Sequence, residues 1–134
     1  MSLFPAIGIS STGVTVHRKW LDAISDNLAN INDVRPTSGE AYRAKQVIAQ
    51  AVDYGDGKGG VQVGGIVEGP AEGRLVYAPD NVMADAEGYV RMPDIDLADQ
   101  MGQLLMAQRG YQSNLAVIDR AKDSYTQAIQ LGKG

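Results

Sequence analysis

Between Ile7 and Ile31 apolar side chains recur in alternating steps of three and four, with Ile7, Val14, Leu21, Ile24, Leu28 and Ile31 on one stripe and Ser10 and His17 in the two remaining seam positions. That spacing predicts an amphipathic helix. A regular two-stranded coiled coil rarely carries a hydroxyl and an imidazole in successive turns of its seam, so the stripe predicts packing against several neighbouring helices. Pro5 and Gly8 set the start of the regular helix a little further in. The run Asp26-Asn27-Leu28-Ala29-Asn30-Ile31-Asn32 offers short polar side chains that compete for backbone hydrogen bonds and tolerate left-handed backbone, which ends the helix near Asn30 to Asn32. Arg35-Pro36 bars continuation.

From about Pro36 to Pro93 the period changes. Gly55, Gly57, Gly59, Gly60, Gly64, Gly65, Gly69 and Gly73 are half of the 16 glycines, a density that marks turns and loops. Between them, β-branched runs at Lys45 to Val52, Val61 to Val67 and Arg74 to Tyr77 predict small strands. The segment Gly55-Asp56-Gly57-Lys58-Gly59-Gly60 reads as a hairpin loop. It lacks the Lys-Ser/Thr pair and following helix that a phosphate loop requires.

The helical pattern returns from Asp96 to Leu131, with Met101, Leu104, Tyr111, Leu115, Ile118, Tyr125 and Ile129 on one stripe that Gln108 and Lys122 interrupt. Asp94 or Asp96 can cap its start, Asp99 suits the first turn, and Gly132-Lys133 fits a stop. At 1.5 Å per residue this helix reaches roughly 50 Å, beyond the width of a compact domain of this size. It therefore needs a neighbour outside its own chain. The expected fold class is α+β: two long terminal amphipathic helices forming a coiled-coil-like hairpin around a small Gly-rich β insertion, divided as 1–35, 36–93 and 94–134.

Composition narrows the function. A chain of 134 residues with 44% hydrophobic content suits one domain, and its net charge of -4 with twelve scattered Lys and Arg gives no nucleic-acid footprint. Without cysteine there is no disulfide, thiolate metal site or thiol nucleophile. No run approaches the roughly 18 apolar residues of a membrane span, and no basic start followed by an apolar core suggests a cleaved leader. His17 is the single histidine and no motif fixes a serine or carboxylate partner beside it, so it reads as a packing or surface residue. With Arg18, Lys19 and Trp20 it forms the densest basic cluster, read as a solvated face. Asp94 and Asp96 lack the further oxygen ligands, turn glycine and closing Glu of a calcium loop. Neither enzyme nor cofactor is expected. Gly102 and Gly110 lie inside the second helix, either where a neighbouring helix approaches closely or where packing simply tolerates them.

The opening Ile7-Gly8-Ile9-Ser10-Ser11-Thr12-Gly13, followed by Asp22-Ala23-Ile24-Ser25-Asp26-Asn27-Leu28-Ala29-Asn30-Ile31-Asn32, resembles the amino-terminal signature of the flagellar rod and hook axial proteins. Ser38-Gly39-Glu40-Ala41-Tyr42-Arg43-Ala44-Lys45, Ala86-Glu87-Gly88-Tyr89-Val90-Arg91-Met92-Pro93 and Ala107-Gln108-Arg109-Gly110-Tyr111-Gln112-Ser113-Asn114 continue the likeness in order and point to the proximal rod branch. Asn27, Ala29, Asn30, Tyr42, Gly88, Tyr89, Arg109, Tyr111 and Asn114 are the motif positions. The chain departs from the pattern at Ala78 to Asp85, in place of an acidic Pro and His run, and at Gly110, where Ala is common.

The resemblance implies a subunit exported unfolded through the flagellar type III apparatus and stacked helically as a periplasmic drive shaft. Its partners would be copies of itself, other proximal and distal rod proteins and a membrane-ring adaptor. The terminal helices would form an inner tube, and the region from Tyr42 to Gly73 would touch neighbours. Two other classes remain at this stage: a monomeric helical-hairpin binding module using one stripe as a helix-in-groove ligand, and, far behind, a small hydrolase built on His17.

Overall fold

The computed structural model describes residues 3–134, as α1 (Leu3–Ala29), β1 (Lys45–Gly55), β2 (Lys58–Glu68), β3 (Arg74–Tyr77), β4 (Tyr89–Met92) and α2 (Leu97–Gly132). The fold is α+β, with long helices at either end and two small antiparallel sheets between them.

α1 starts earlier than Pro5 and Gly8 suggested. A proline in the first helical turn removes an N–H that has no intrahelical partner anyway, so Pro5 fits at no cost. The helix ends at Ala29 as the polar run dictates: Asn30 donates its side-chain amide to the Asp26 carbonyl at 2.8 Å, and Asp33 N–H turns back to Asn30 O at 3.0 Å. At the start of α2, Asp96 is the cap, its carboxylate accepting from Asp99 N–H at 2.7 Å. Its far end closes with Lys133 N–H on Gln130 O in right-handed backbone, so Gly132 supplies no left-handed turn there.

β1 and β2 form a hairpin turned by Asp56-Gly57, both with positive φ. Asp-Gly is the pair that takes a two-residue turn of this hand most readily. Both strands are longer than their β-branched runs, since the turn carries the ladder into flanking glycines. The hairpin follows α1: Lys45 lies beside Asn27, Val61 N–H donates to Thr12 Oγ1 at 3.1 Å, and the tip at Tyr54 and Lys58 reaches Phe4. Eleven extended residues span about 36 Å, close to the roughly 35 Å between Phe4 and Asn27 on the helix. α1 is thus the element against which both α2 and the hairpin pack.

β3 has the expected boundaries. β4 is an added strand, short and held between Gly88 and Pro93, and it pairs along its full length with β3. Arg91 ties this sheet to the chain leaving α1. Its backbone exchanges hydrogen bonds with Arg35 at 2.8 and 2.9 Å, and its guanidinium donates to the carbonyls of Glu72 and Thr37. Val90 within β4 and Pro93 just after it are fully buried.

Candidate assembly surfaces

The helices run antiparallel, and small residues bring them together. Asn27 faces Gln100, Trp20 faces Gln103, His17 faces Gly110, Gly13 faces Asn114 and Phe4 faces Tyr125. Ser10, Gly13 and Ala23 on α1, and Ala107 and Ala121 on α2, are buried, Ala107 completely. Gly110 resolves the choice its sequence left open, because a Cβ there would strike the His17 ring. Gly102 has open space around it and is merely tolerated. At Gly13 an added Cβ would lie 2.6 Å from the Asn114 amide, whose nitrogen donates to Gly110 O at 2.8 Å. His17 donates from Nδ1 to Gly13 O at 2.7 Å.

One polar residue locks the upper end of this pair. Asn27, 2% exposed, donates to Lys45 O at 2.9 Å and Gln100 Oε1 at 3.1 Å, and accepts from Lys45 N–H at 2.8 Å and the Tyr42 hydroxyl at 3.2 Å. Four hydrogen bonds fill the amide's capacity and join α1, α2 and the first residue of β1. Burial raises the Tyr42 pKa above its usual value. Nearby Lys45 bonds Asp26 at 2.8 Å, and this hydrogen bond raises the Lys45 pKa. That exposed pair adds little to stability.

The large apolar residues of the predicted stripes are only partly covered within the fold. Ile24 is buried; Ile7, Val14, Leu21, Leu28, Ile31, Leu104, Tyr111 and Ile118 are half-buried; Met101, Leu115, Tyr125 and Ile129 are exposed. Beyond Ala121 every residue of α2 is exposed. Among the described residues twenty large apolar side chains are exposed, so much apolar surface is left without a partner in the isolated chain. Hydropathy periodicity gives most weight to bulky side chains and so missed the buried face. The repeat of Ala107, Gly110, Asn114 and Ala121 at helical spacing was the available signal.

Other motif residues are structural. Gly88 has φ +87 and lets Tyr77 and Pro79 approach, while Tyr89 packs edge-on against Tyr77 at 5.4 Å between ring centres. Ala29 ends α1, and Arg109 is exposed on α2. The divergent loop from Ala78 to Gly88 is organised by Asp85, whose carboxylate accepts from Tyr89 N–H at 2.9 Å, Glu87 N–H at 3.0 Å and the Thr37 hydroxyl at 3.0 Å. These bonds, led by that from Tyr89, lower its pKa from the usual 3.8. Among the described residues no three potential ligands gather as a metal site, and no helix is long and apolar enough to cross a membrane.

A family model described as flagellar basal body rod FlgEFG protein C-terminal matches residues 86–131. The chain is 38% identical over 134 residues to the flagellar basal-body rod protein FlgC of Yersinia enterocolitica, covering 99% of this chain and 100% of that protein. The FlgC proteins of Salmonella typhimurium strain LT2 and Bacillus subtilis strain 168 are 38% and 31% identical, each again with 99% of this chain and 100% of the relative covered. With its length matched end to end at this identity, the chain belongs to the FlgC family of flagellar basal-body rod proteins.

Proposed function

We propose that the chain builds the proximal part of the rod by helical stacking, forming a shaft that transmits torque and a channel through which axial proteins pass. At the coarser level it is a structural subunit of the flagellar basal-body rod, in a non-enzymatic family. The terminal parts, 1–35 and 94–134, form the inner tube, and the insertion, 36–93, touches neighbours. The partners are further copies, the other proximal and distal rod proteins and a membrane-ring adaptor, within the periplasmic space after passage through the type III export apparatus. The coiled-coil-like character belongs to the assembled tube, where neighbouring helices complete the seam.

The observation that carries this reading is the division of labour on α2. Small residues serve its own α1, while Met101, Leu115 and Ile129 are exposed. Removing such area from water yields about 25 cal/mol per Å², so association rewards the chain for what its monomer leaves exposed. Because Leu115 is exposed and Leu21 half-buried, an aspartate at either site leaves the isolated fold largely intact. In an assembled wall it buries an unpaired charge. Leu21→Asp and Leu115→Asp are expected to abolish swimming while the subunit is still exported, read by soft-agar motility and immunoblot of the periplasm. Normal swimming in both variants contradicts the reading.

A further inference from the structure

The β1–β2 hairpin is a two-stranded ribbon, so each strand has an outer edge, and α1 covers only part of each. Hydrogen bonds to α1 show which backbone groups point outward. The N–H and C=O of Lys45 both reach the Asn27 side chain, and Val61 N–H reaches Thr12 Oγ1, so these residues turn their backbone groups away from the partner strand. Val61 is paired with Ala51, and opposed residues of an antiparallel pair point either both into the ladder or both out of it. Outward groups recur at every second residue, which makes Val47, Ala49 and Ala51 the outward set beyond Lys45. Lys45 and Ala51 were placed by separate bonds and give the same alternation. The bulge at Gly64 leaves it intact, because the extra residue lies in β2.

Asn27 occupies this edge at Lys45. Beyond it, among the described residues, nothing meets the N–H and C=O groups of Val47, Ala49 and Ala51. Folded proteins block such an edge with proline, lysine or another charge, yet Gln46 to Val52 contain neither proline nor a charged residue, and Ala49 to Ala51 are exposed. An open, uncharged edge is a template for a further strand.

The other edge of the ribbon says which strand. On β2, Thr12 occupies Val61, and past the bulge Ile66 and Glu68, opposite Val47 and Lys45, turn their backbone groups outward without a partner among the described residues. α1 thus leaves β1 open toward the tip and β2 open toward the base, on opposite sides of the ribbon. Copies stacked in one orientation, with a small shift along the strands, place β2 of one beside β1 of the next. The two strands run antiparallel, so the ladder continues between copies in the sense it has within one. Spacing agrees: a two-stranded ribbon repeats about every 10 Å, and helices pack about 8–10 Å apart. α1 lies between the hairpin and α2, so pairing of the edges also brings the α1 helices of adjacent copies to packing distance.

We propose that the Val47–Ala51 edge of one copy pairs with the Ile66–Glu68 edge of a second copy. This rests on the rod reading above and names one contact within it. The two edges are different surfaces, so the contact is head-to-tail and can continue from copy to copy without closing on itself.

The chain contains no cysteine, so introduced thiols report unambiguously. Gln50→Cys on β1 and Val67→Cys on β2 replace exposed side chains on the same face of the ribbon. In basal bodies from cells expressing both variants, a short bismaleimide is expected to give a mixed dimer, and in those from cells expressing either variant alone it is expected to give none. Ala51→Pro removes one outward N–H and leaves the hairpin's own ladder untouched, a place where an edge strand tolerates proline. Added to the Gln50→Cys chain, it is expected to lower the yield of mixed dimer severalfold while the purified chain melts with its parent. The cross-link with Ala51 in place decides the matter even where the proline variant does not fold. Basal bodies that hold both variants but give no mixed dimer, as much dimer from one variant alone, or an undiminished yield from a folded Ala51→Pro chain overturn the inference and leave the rod reading standing. Absence of the unaltered chain from basal bodies overturns both.

Discussion

The two ends of α1 meet the same neighbours, α2 and the β1–β2 hairpin, in opposite ways. At the Asn27 end a buried amide spends its full hydrogen-bonding capacity, on Lys45, Gln100 and Tyr42, beside a cleft of about 400 Å³ with a mostly polar lining. At the Phe4 end α1 and the hairpin leave apolar side chains around an open groove, and α2 meets α1 there through Tyr125 packed edge-on against Phe4. Directional bonds fix how the elements are oriented, because an unmet buried polar group costs about 1–3 kcal/mol. Apolar contacts set no such geometry, and they can be completed by another molecule. The two ends therefore differ in chemistry, with polar bonds fixing the geometry at one and apolar contacts leaving it less constrained at the other.

Asn27→Ala should have the largest effect. It strands the backbone of Lys45 and the side chains of Gln100 and Tyr42, and about 3 kcal/mol of unfolding free energy is expected to be lost in urea titrations. Phe4→Ser at the open end should cost under about 1 kcal/mol in the same titration, since Phe4 is largely exposed. Equal losses at the two ends would erase the contrast.

Midway between the ends, Gly110→Ala should cost about 1 kcal/mol, because its methyl group meets the His17 ring. Combining it with His17→Ala should recover most of that loss, a coupling that a double-mutant cycle reads directly. Gly102→Ala, in open space, should instead stabilise by up to about 1 kcal/mol.

The smallest effect expected is that of acid. Asp85 has a lowered pKa in the folded chain, so its contribution is complete above the usual value of 3.8 and fades as pH falls through the lower native value. Amide exchange at Glu87 and Tyr89 should quicken over that window, and Asp85→Asn should flatten the dependence.

Much of this arrangement was legible beforehand. Both helices, the Asp96 cap, the Asp56-Gly57 turn and β3 follow from local chemistry that a single stretch of sequence carries. What escaped notice depends on partners distant in the chain. Asn27 reads locally as part of a helix-ending amide run, and only the fold places Lys45 and Gln100 beside it. β4 is four residues long and has meaning only against β3. The contact face of the helices is built from Ala, Gly and Ser, which a hydropathy pattern scarcely registers, while the bulky stripe it does register lies partly in the open.

That open stripe supports the central claim, and single cysteines placed along it test the claim most directly. With cysteine in place of Met101, Leu115 or Ile129, maleimide should label the isolated chain readily and the chain within purified basal bodies at least about tenfold more slowly, as burial in a close-packed interface requires. Equal labelling rates in the two states would contradict the account.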